Sequence, residues 1–330
     1  MGTHNLTSIS EFHLTGFSED PDLQPVLLGL FLSLYLVTVL GNLLIILAVI
    51  SDSHLHTPMC FFLSNLSIVD ICFISTTVPK MIVDTITHSR FISYVGCLIQ
   101  MSLFMIFICM DDMLLTVMAY DRFLAICHPL HYAVIMNPRL CVLLILLSVF
   151  LSLLDSQLHN LVALQITCFK DVEIANLFCH PFQIFNLSCS DMLIKTMVTY
   201  FCGAIFGFVP MLGILFSYYK IVSSILKIPS SGGKYKAFST CSSHLSVVCL
   251  FYSTAIGTYF GSAVSYSPSK GIVASLMYTG VTPMLNPFIY SLRNREISRT
   301  QRGSLVGGFN PRTIDIHLES KFENIEKLRG

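Results

Sequence analysis

Seven stretches of the chain are long, strongly apolar and nearly free of charge: Val26 to Ile50, Pro58 to Pro79, Phe91 to Tyr120, Leu140 to Leu154, Thr196 to Tyr219, Cys241 to Val264 and Gly271 to Leu292. A hydrocarbon core about 30 Å thick is crossed by about 20 helical residues, so the pattern predicts seven membrane-spanning helices. The fourth is short and completes a crossing only if the helix runs on through Asp155 towards Leu164. Ser and Thr recur in all seven, as they do in helices that pack on one another rather than only on lipid.

The expected division is an extracellular segment 1–25, a seven-helix domain 26–292 and a cytoplasmic tail 293–330. Loop charge sets the orientation, because Lys and Arg collect on the cytoplasmic side. With the N-terminus outside, the outer segments hold five cations (Lys80, Arg90, Lys170, Lys195, Lys270) and the inner ones fourteen, eight of them after Leu292. Residues 1–25 carry four acids and no Lys or Arg; the first span is expected to act as an uncleaved signal anchor, and Asn5 opens a glycosylation sequon with Leu6 and Thr7. Asn186 opens a second with Leu187 and Ser188. Composition agrees: 54% hydrophobic and 12% charged residues among 330, with a mean hydropathy of +0.72, against about 25% charged in soluble domains. Lipid is therefore the bulk partner, and a net charge of zero gives nucleic acid nothing to bind.

Of the twelve cysteines, Cys97, Cys168, Cys179 and Cys189 fall on the predicted outer face, an oxidising compartment. An even number there implies two bridges, with three pairings open. The others lie in or near the spans and read as small buried hydrophobes. The long outer loop, about Ser156 to Lys195, has the mixed composition of a folded cover.

Several polar residues interrupt the apolar pattern. Asp121 and Arg122 end the third span, where an acid beside an arginine can form a charged lock released by a partner. Pro283 and Pro287 in the last span each remove a helical hydrogen bond and permit a hinge, with Asn286 and Tyr290 flanking Pro287. Asp70 and Asp111 are intramembrane acids, which cost at least about 2.5 kcal/mol each to insert and are functional candidates by default. Facing one another, they would share a proton or hold a cation such as sodium, with Asn42 and Asn286 as polar neighbours, or they would form a structural polar knot. Asp112, adjacent to Asp111, points about 100° away from it and is harder to place.

These residues carry a resemblance. Gly41 with Asn42, Leu66 to Asp70, Asp121 with Arg122, and Asn286 to Tyr290 resemble the rhodopsin-like receptors coupled to heterotrimeric G proteins. Pro58 to Ser67, Met118 to Tyr132, Ser217 with Tyr218, Lys236 to His244 and Pro283 to Asn294 resemble their odorant-receptor branch. The resemblance covers about residues 5 to 296. It implies an all-α membrane bundle of seven helices, with the N-terminus outside and the C-terminus cytoplasmic, in the plasma membrane of olfactory cilia. It also implies a Cys97–Cys179 bridge and a second between Cys168 and Cys189, and detection of small volatile odorants. Signalling would pass through a stimulatory olfactory G protein to cyclic AMP, with Asp121, Arg122, Tyr218, Asn286, Pro287 and Tyr290 as coupling and switch residues. A bridge closing 82 residues adds about 4 to 5 kcal/mol in the chain-entropy model. Departures are Cys60 in place of the usual Tyr, Phe123 after the Asp–Arg pair, and a tail after Glu296 without a basic amphipathic pattern.

Carried over position by position, the ligand pocket comprises Phe104, Met105, Ile108 and Cys109 from the third span and Cys202 and Phe206 from the fifth. The sixth adds Tyr252, Ala255, Ile256 and Tyr259, and the seventh Leu276 and Thr279. This lining is apolar with a few hydroxyls and no charge, so an amine or carboxylate ligand would lack a counter-ion.

Other classes fit less well. A transporter would show paired halves or interrupted helices. An enzyme needs a reactive constellation, and Ser243 with His244 has no acid in its span. A retinal-binding pump needs a lysine in the seventh span, and Gly271 to Leu292 contains none. His159, His180 and Cys179 are metal-capable, but the outer cysteines are claimed by bridges, so no metal centre is expected.

Overall fold

The computed structural model describes residues 10–17, 20–189, 192–264, 272–273 and 275–293. Six helices come first: α1 (Gln24–Ser51), α2 (Pro58–Thr87), α3 (Tyr94–Cys127), α4 (Pro129–Ile135), α5 (Pro138–Leu164) and α6 (Pro181–Leu187). Next, α7 (Met192–Cys202) continues through a π-helical turn, Gly203–Phe208, into α8 (Val209–Leu226). Then come α9 (Ser231–Val264) and, after a second π turn at Met277–Val281, α10 (Thr282–Arg293).

Side-chain caps set several starts. Thr57 accepts from the Cys60 amide at 3.3 Å, Ser93 from Gly96 at 3.1 Å and Asn137 from Leu140 at 3.0 Å; Pro58 and Pro138 occupy first-turn positions where no amide is needed. Among the described residues five stretches are long and apolar enough to cross a bilayer: Pro21–Ser51, Pro58–Thr87, Tyr94–Cys127, Pro138–Leu164 and Leu193–Leu226. Within α9 the apolar part, Cys241–Gly257, is shorter. The expected seventh span lies only partly within the described residues. The fourth does run on through Asp155 to Leu164. The third begins later than expected, because Phe91–Ser93 form a strand that ends at the Ser93 cap.

Helix α3 is the axis of the bundle: about two thirds of its most apolar stretch is buried, against 28% for α5 and 22% for Leu193–Leu226. The latter two turn rows of Leu, Ile and Phe outward, as lipid-facing helices do. At Gly41, α1 approaches α10 so closely that a β-carbon would lie 3.2 Å from the Pro287 ring. Next to it, Asn42 donates to the Pro283 carbonyl at 3.3 Å. That carbonyl is the one Pro287, lacking an amide hydrogen, cannot satisfy. The Gly–Asn pair thus repairs the proline break in the neighbouring helix. Gly280, in the second π turn, faces Leu34, which a β-carbon would displace.

One end of the bundle is closed by a small sheet that the apolar pattern did not reveal. Strand β1 (Glu11–Leu14) lies between β2 (Phe91–Ser93), antiparallel, and β3 (Glu173–Ile174), parallel. It buries Phe12 and Leu14 against Phe169, Ile174 and Ile184. Disulfides join Cys97 to Cys179 and Cys168 to Cys189, with Cα–Cα distances of 5.5 and 5.4 Å. The segment between α5 and α7 is therefore a folded cover, and Phe178 within it packs on Phe104 of α3 at 5.0 Å between ring centroids.

Candidate functional site

Beneath that cover, α3, α5, the α7–α8 rod and α9 enclose a cavity of about 520 Å³, within the usual range of small-molecule sites. From the expected set, Met105, Ile108, Cys109, Cys202, Phe206, Tyr252, Ala255 and Ile256 line it. Phe104 does not: its ring is enclosed by Phe73, Phe178, His180 and Tyr278. Nor do Leu276, packed against the core, and Thr279, buried and bonded to the Ser275 carbonyl at 2.9 Å. Tyr278 faces the cavity instead. The reason is the π turn at Met277–Val281, whose i→i+5 bonding admits an extra residue and changes which side chains face inward. The Tyr259 side chain and Asn5 lie outside the described residues.

The expectation of an uncharged lining is overturned. Asp112, Asp155 and His159 face the cavity, with Thr199, Phe208, Met211 and Phe251. The Asp112 carboxylate accepts a short hydrogen bond from the Tyr252 hydroxyl, tying α3 to α9. Asp111 and Asp112 can both be buried because α3 has neighbours on every side. On the opposite wall, Asp155 and His159 project from one face of α5 one turn apart, with His159 Nδ1 3.5 Å from Asp155 Oδ1. Cys202 faces them at the last residue before the first π turn. One ligand atom from each of the three lies within 4.8 Å of the other two. The expected metal-capable trio does not assemble as such: Cys179 is in a disulfide, His180 caps α6 by accepting from Phe182 N at 3.3 Å, and His159 belongs to α5. Outside the spanning helices, burial depresses the His180 imidazole to about 4, with nearby His159 adding to the effect.

Below the cavity lies a buried polar layer. Asn286 donates to both oxygens of Asp70, at 3.1 and 3.0 Å. Asn42 turns instead to α10, so Asn286 alone of the two expected polar neighbours reaches the acid. Asp111 is buried close to Asp70. Four oxygens here, Asn42 Oδ1, Asp111 Oδ1, Asn286 Oδ1 and Tyr290 Oη, are buried without a hydrogen-bond partner among the described residues.

At the end remote from the sheet, Asp121 is not locked by Arg122. It accepts from the Tyr132 hydroxyl of α4 at 2.8 Å, while Arg122 Nε is buried without a partner among the described residues. Tyr218 bonds His244 Nδ1 at 2.6 Å, and His244 Nε2 meets the Leu115 carbonyl at 3.1 Å. A carbonyl only accepts, so Nε2 carries the proton and Nδ1 accepts from Tyr218. That chain links α8, α9 and α3, and it accounts for the histidine that lacked an acid in its own span.

A family model for olfactory receptors matches residues 31–306. The chain belongs to the olfactory receptor family. It is 74% identical over 293 residues to human olfactory receptor 7E24, covering 89% of this chain and 86% of that one. It is 70% identical over 295 residues to mouse olfactory receptor 7E178, covering 89% of each. Human olfactory receptor 7D4 is 60% identical over 297 residues, covering 90% of this chain and 95% of its own. The protein is thus a multi-pass membrane receptor rather than an enzyme, and its family is built on a seven-helix bundle.

Proposed function

We propose that this olfactory receptor binds a small, mostly apolar volatile odorant in the 520 Å³ cavity and activates a stimulatory olfactory G protein, raising cyclic AMP. The observation that carries the reading is the cavity itself, walled by α3, α5, the α7–α8 rod, α9 and Tyr278, with the bonded pair Asp112 and Tyr252 at its floor. Apolar lining contributes about 25 cal/mol per Å² of ligand surface buried, and Asp112, Tyr252, Asp155 and His159 orient the polar atoms of the guest. The sheet end faces the extracellular side of the plasma membrane, in agreement with loop charge and with two disulfides in an oxidising compartment. Arg122 then lies at the cytoplasmic end, where a G-protein helix would take it up once α3 and α9 part.

The layer around Asp70 is proposed to hold a proton or a sodium ion. Its donors are hard oxygens, and Asp111 Oδ1 and Asn286 Oδ1, buried without a hydrogen-bond partner among the described residues, fit a cation of that class. Bound there, the ion would supply positive charge; Asp70, Asp111 and Asn286 supply the oxygens that hold the three helices together around it.

The test is a cyclic AMP assay of transfected cells against a panel of volatiles, normalised to surface expression. Ala255→Trp, which fills the cavity, should abolish any agonist response, as should Arg122→Ala at the other end. A response unchanged by Ala255→Trp would place the ligand elsewhere.

A further inference from the structure

The cavity wall opposite Tyr252 holds three side chains, Asp155, His159 and Cys202, whose convergence on one point goes beyond what orienting an odorant requires. Asp155 and His159 leave one face of α5 at i and i+4, a spacing that lets two side chains of a helix meet one ion. Cys202 approaches from α7, and its position before the Gly203–Phe208 π turn aims its sulfur at the pair. All three are almost fully buried, at 3, 3 and 2% exposure. Among the described residues Asp155 Oδ1 has no hydrogen-bond partner, with His159 Nδ1 3.5 Å away and the Cys202 thiol hydrogen-bonded to the same carboxylate. A carboxylate enclosed in this way carries a desolvation cost that the neighbouring His159 and the Cys202 thiol offset only in part.

We propose that Asp155, His159 and Cys202 form a site for a divalent transition metal ion of the zinc class, with a fourth coordination position open to the cavity. The donor set selects the class: imidazole nitrogen and thiolate sulfur favour zinc, cobalt, nickel or copper over magnesium or calcium, which take oxygen. Charge balances as well. One carboxylate and one thiolate neutralise a dication, so the assembled site is electrically neutral in a low-dielectric wall. Zinc lies about 2.0 to 2.3 Å from such ligands, which in a tetrahedron sets them about 3.3 to 3.7 Å apart; the present separations, within 4.8 Å, close to that by small rotamer changes. Three protein ligands with one exchangeable position is the arrangement of open rather than purely structural zinc sites. A cavity ligand bearing a soft or nitrogenous donor would find that position at the wall. The metal site itself stands independently of the odorant reading.

The experiment uses full-length receptor purified in detergent with an affinity tag free of histidine. Cobalt(II) is the first probe, because a thiolate ligand gives it a sulfur-to-metal charge-transfer band; zinc competition then gives affinity. One saturable equivalent is expected, with the band abolished in Cys202→Ser and retained in Cys249→Ser, an exposed cysteine elsewhere. His159→Gln and Asp155→Asn, close in shape to the originals, should each weaken zinc binding at least about tenfold. On the wild type alone, zinc should slow alkylation of Cys202, read by peptide mass spectrometry, without slowing that of Cys249. The proposal is overturned by the absence of a saturable equivalent, by a band that survives Cys202→Ser, by equal zinc affinity in His159→Gln, or by unaltered alkylation of Cys202.

Discussion

The bond between Tyr252 and Asp112 crosses from α9 to α3 at the cavity floor, and its strength can be measured because both partners can be cut without disturbing much else. Tyr252→Phe removes the hydroxyl and keeps the ring, which retains its edge-on contact with Phe251 at 5.3 Å between centroids. Asp112→Ala removes the acceptor, and because the side chain already faces a 520 Å³ space, truncation adds little new void. A double-mutant cycle should then return a coupling energy between about 1 kcal/mol, the net value of a neutral hydrogen bond, and about 3 kcal/mol, that of a charged one. The measurement is unfolding free energy of the purified receptor in mixed micelles for wild type, both single variants and the double. If signalling separates α3 from α9, the bond exists only in the resting state. Losing 1 kcal/mol of it shifts the resting-to-active equilibrium about fivefold, so basal cyclic AMP should rise about fivefold in Tyr252→Phe where the active state is a minor one. A coupling below about 0.5 kcal/mol, the usual error of additivity, would refute the contact; a normal coupling with unchanged basal signal would refute its place in the switch.

Further expectations follow from single contacts. Asn42→Ala should destabilise the receptor by about 1 to 3 kcal/mol in the same micelles, since it leaves the buried Pro283 carbonyl unsatisfied, whereas Asn42→Asp should be worse than Ala because a carboxylate cannot donate. The His180 imidazole, depressed to about 4 by burial, binds fewer protons folded than unfolded. Its contribution, on the order of 3 kcal/mol, is complete above about pH 6.5 and lost as pH falls towards 4; His180→Asn, which keeps a capping acceptor, should flatten that acid limb of the melting curve. Arg122→Ala should abolish agonist-driven cyclic AMP with surface expression still measurable; undiminished signalling would remove Arg122 from the coupling set. An N-terminal epitope should be labelled on intact cells and a C-terminal one only after permeabilisation.

What could be read from the sequence follows what the bilayer enforces. The apolar runs located the helices because a hydrocarbon core admits little else, and the caps Thr57, Ser93 and Asn137 mark the boundaries more sharply than the apolar runs did. The cavity was legible where helices are regular: the one-turn repeats Met105, Ile108 and Cys109 on α3 and Tyr252, Ala255 and Ile256 on α9 put the expected residues on the wall. Cys202 and Phe206, at the first π turn, also line the cavity as expected, but the expectation fails at the second, which no local pattern announces: Tyr278 faces the cavity and Leu276 and Thr279 do not. Asp155 and His159 fall where the apolar run of the fourth span has ended and the outer loop is expected; the helix instead continues through both and points them inward. The sheet was illegible for another reason, since β1 pairs with residues about 80 and 160 positions away and four residues are too few to show alternation.

The arrangement gives α3 a role that its sequence alone does not display. Asp112 faces the cavity and bonds α9, and its neighbour Asp111 faces the polar layer with Asp70 and Asn286. One turn on, the Leu115 carbonyl holds His244, which holds Tyr218. The helix ends with Asp121 on Tyr132 and Arg122 beyond it. These contacts are polar, directional and buried, so each has a small number of alternative arrangements rather than a continuum. A ligand that competes for Asp112 or Tyr252 would therefore act on a rigid rod whose other faces meet α2, α8, α9 and α4. A small rotation of α3 would disturb all of them together, and the proposed signalling then requires no separate path from cavity to Arg122: Asp112 and Arg122 are on the same helix, ten residues apart.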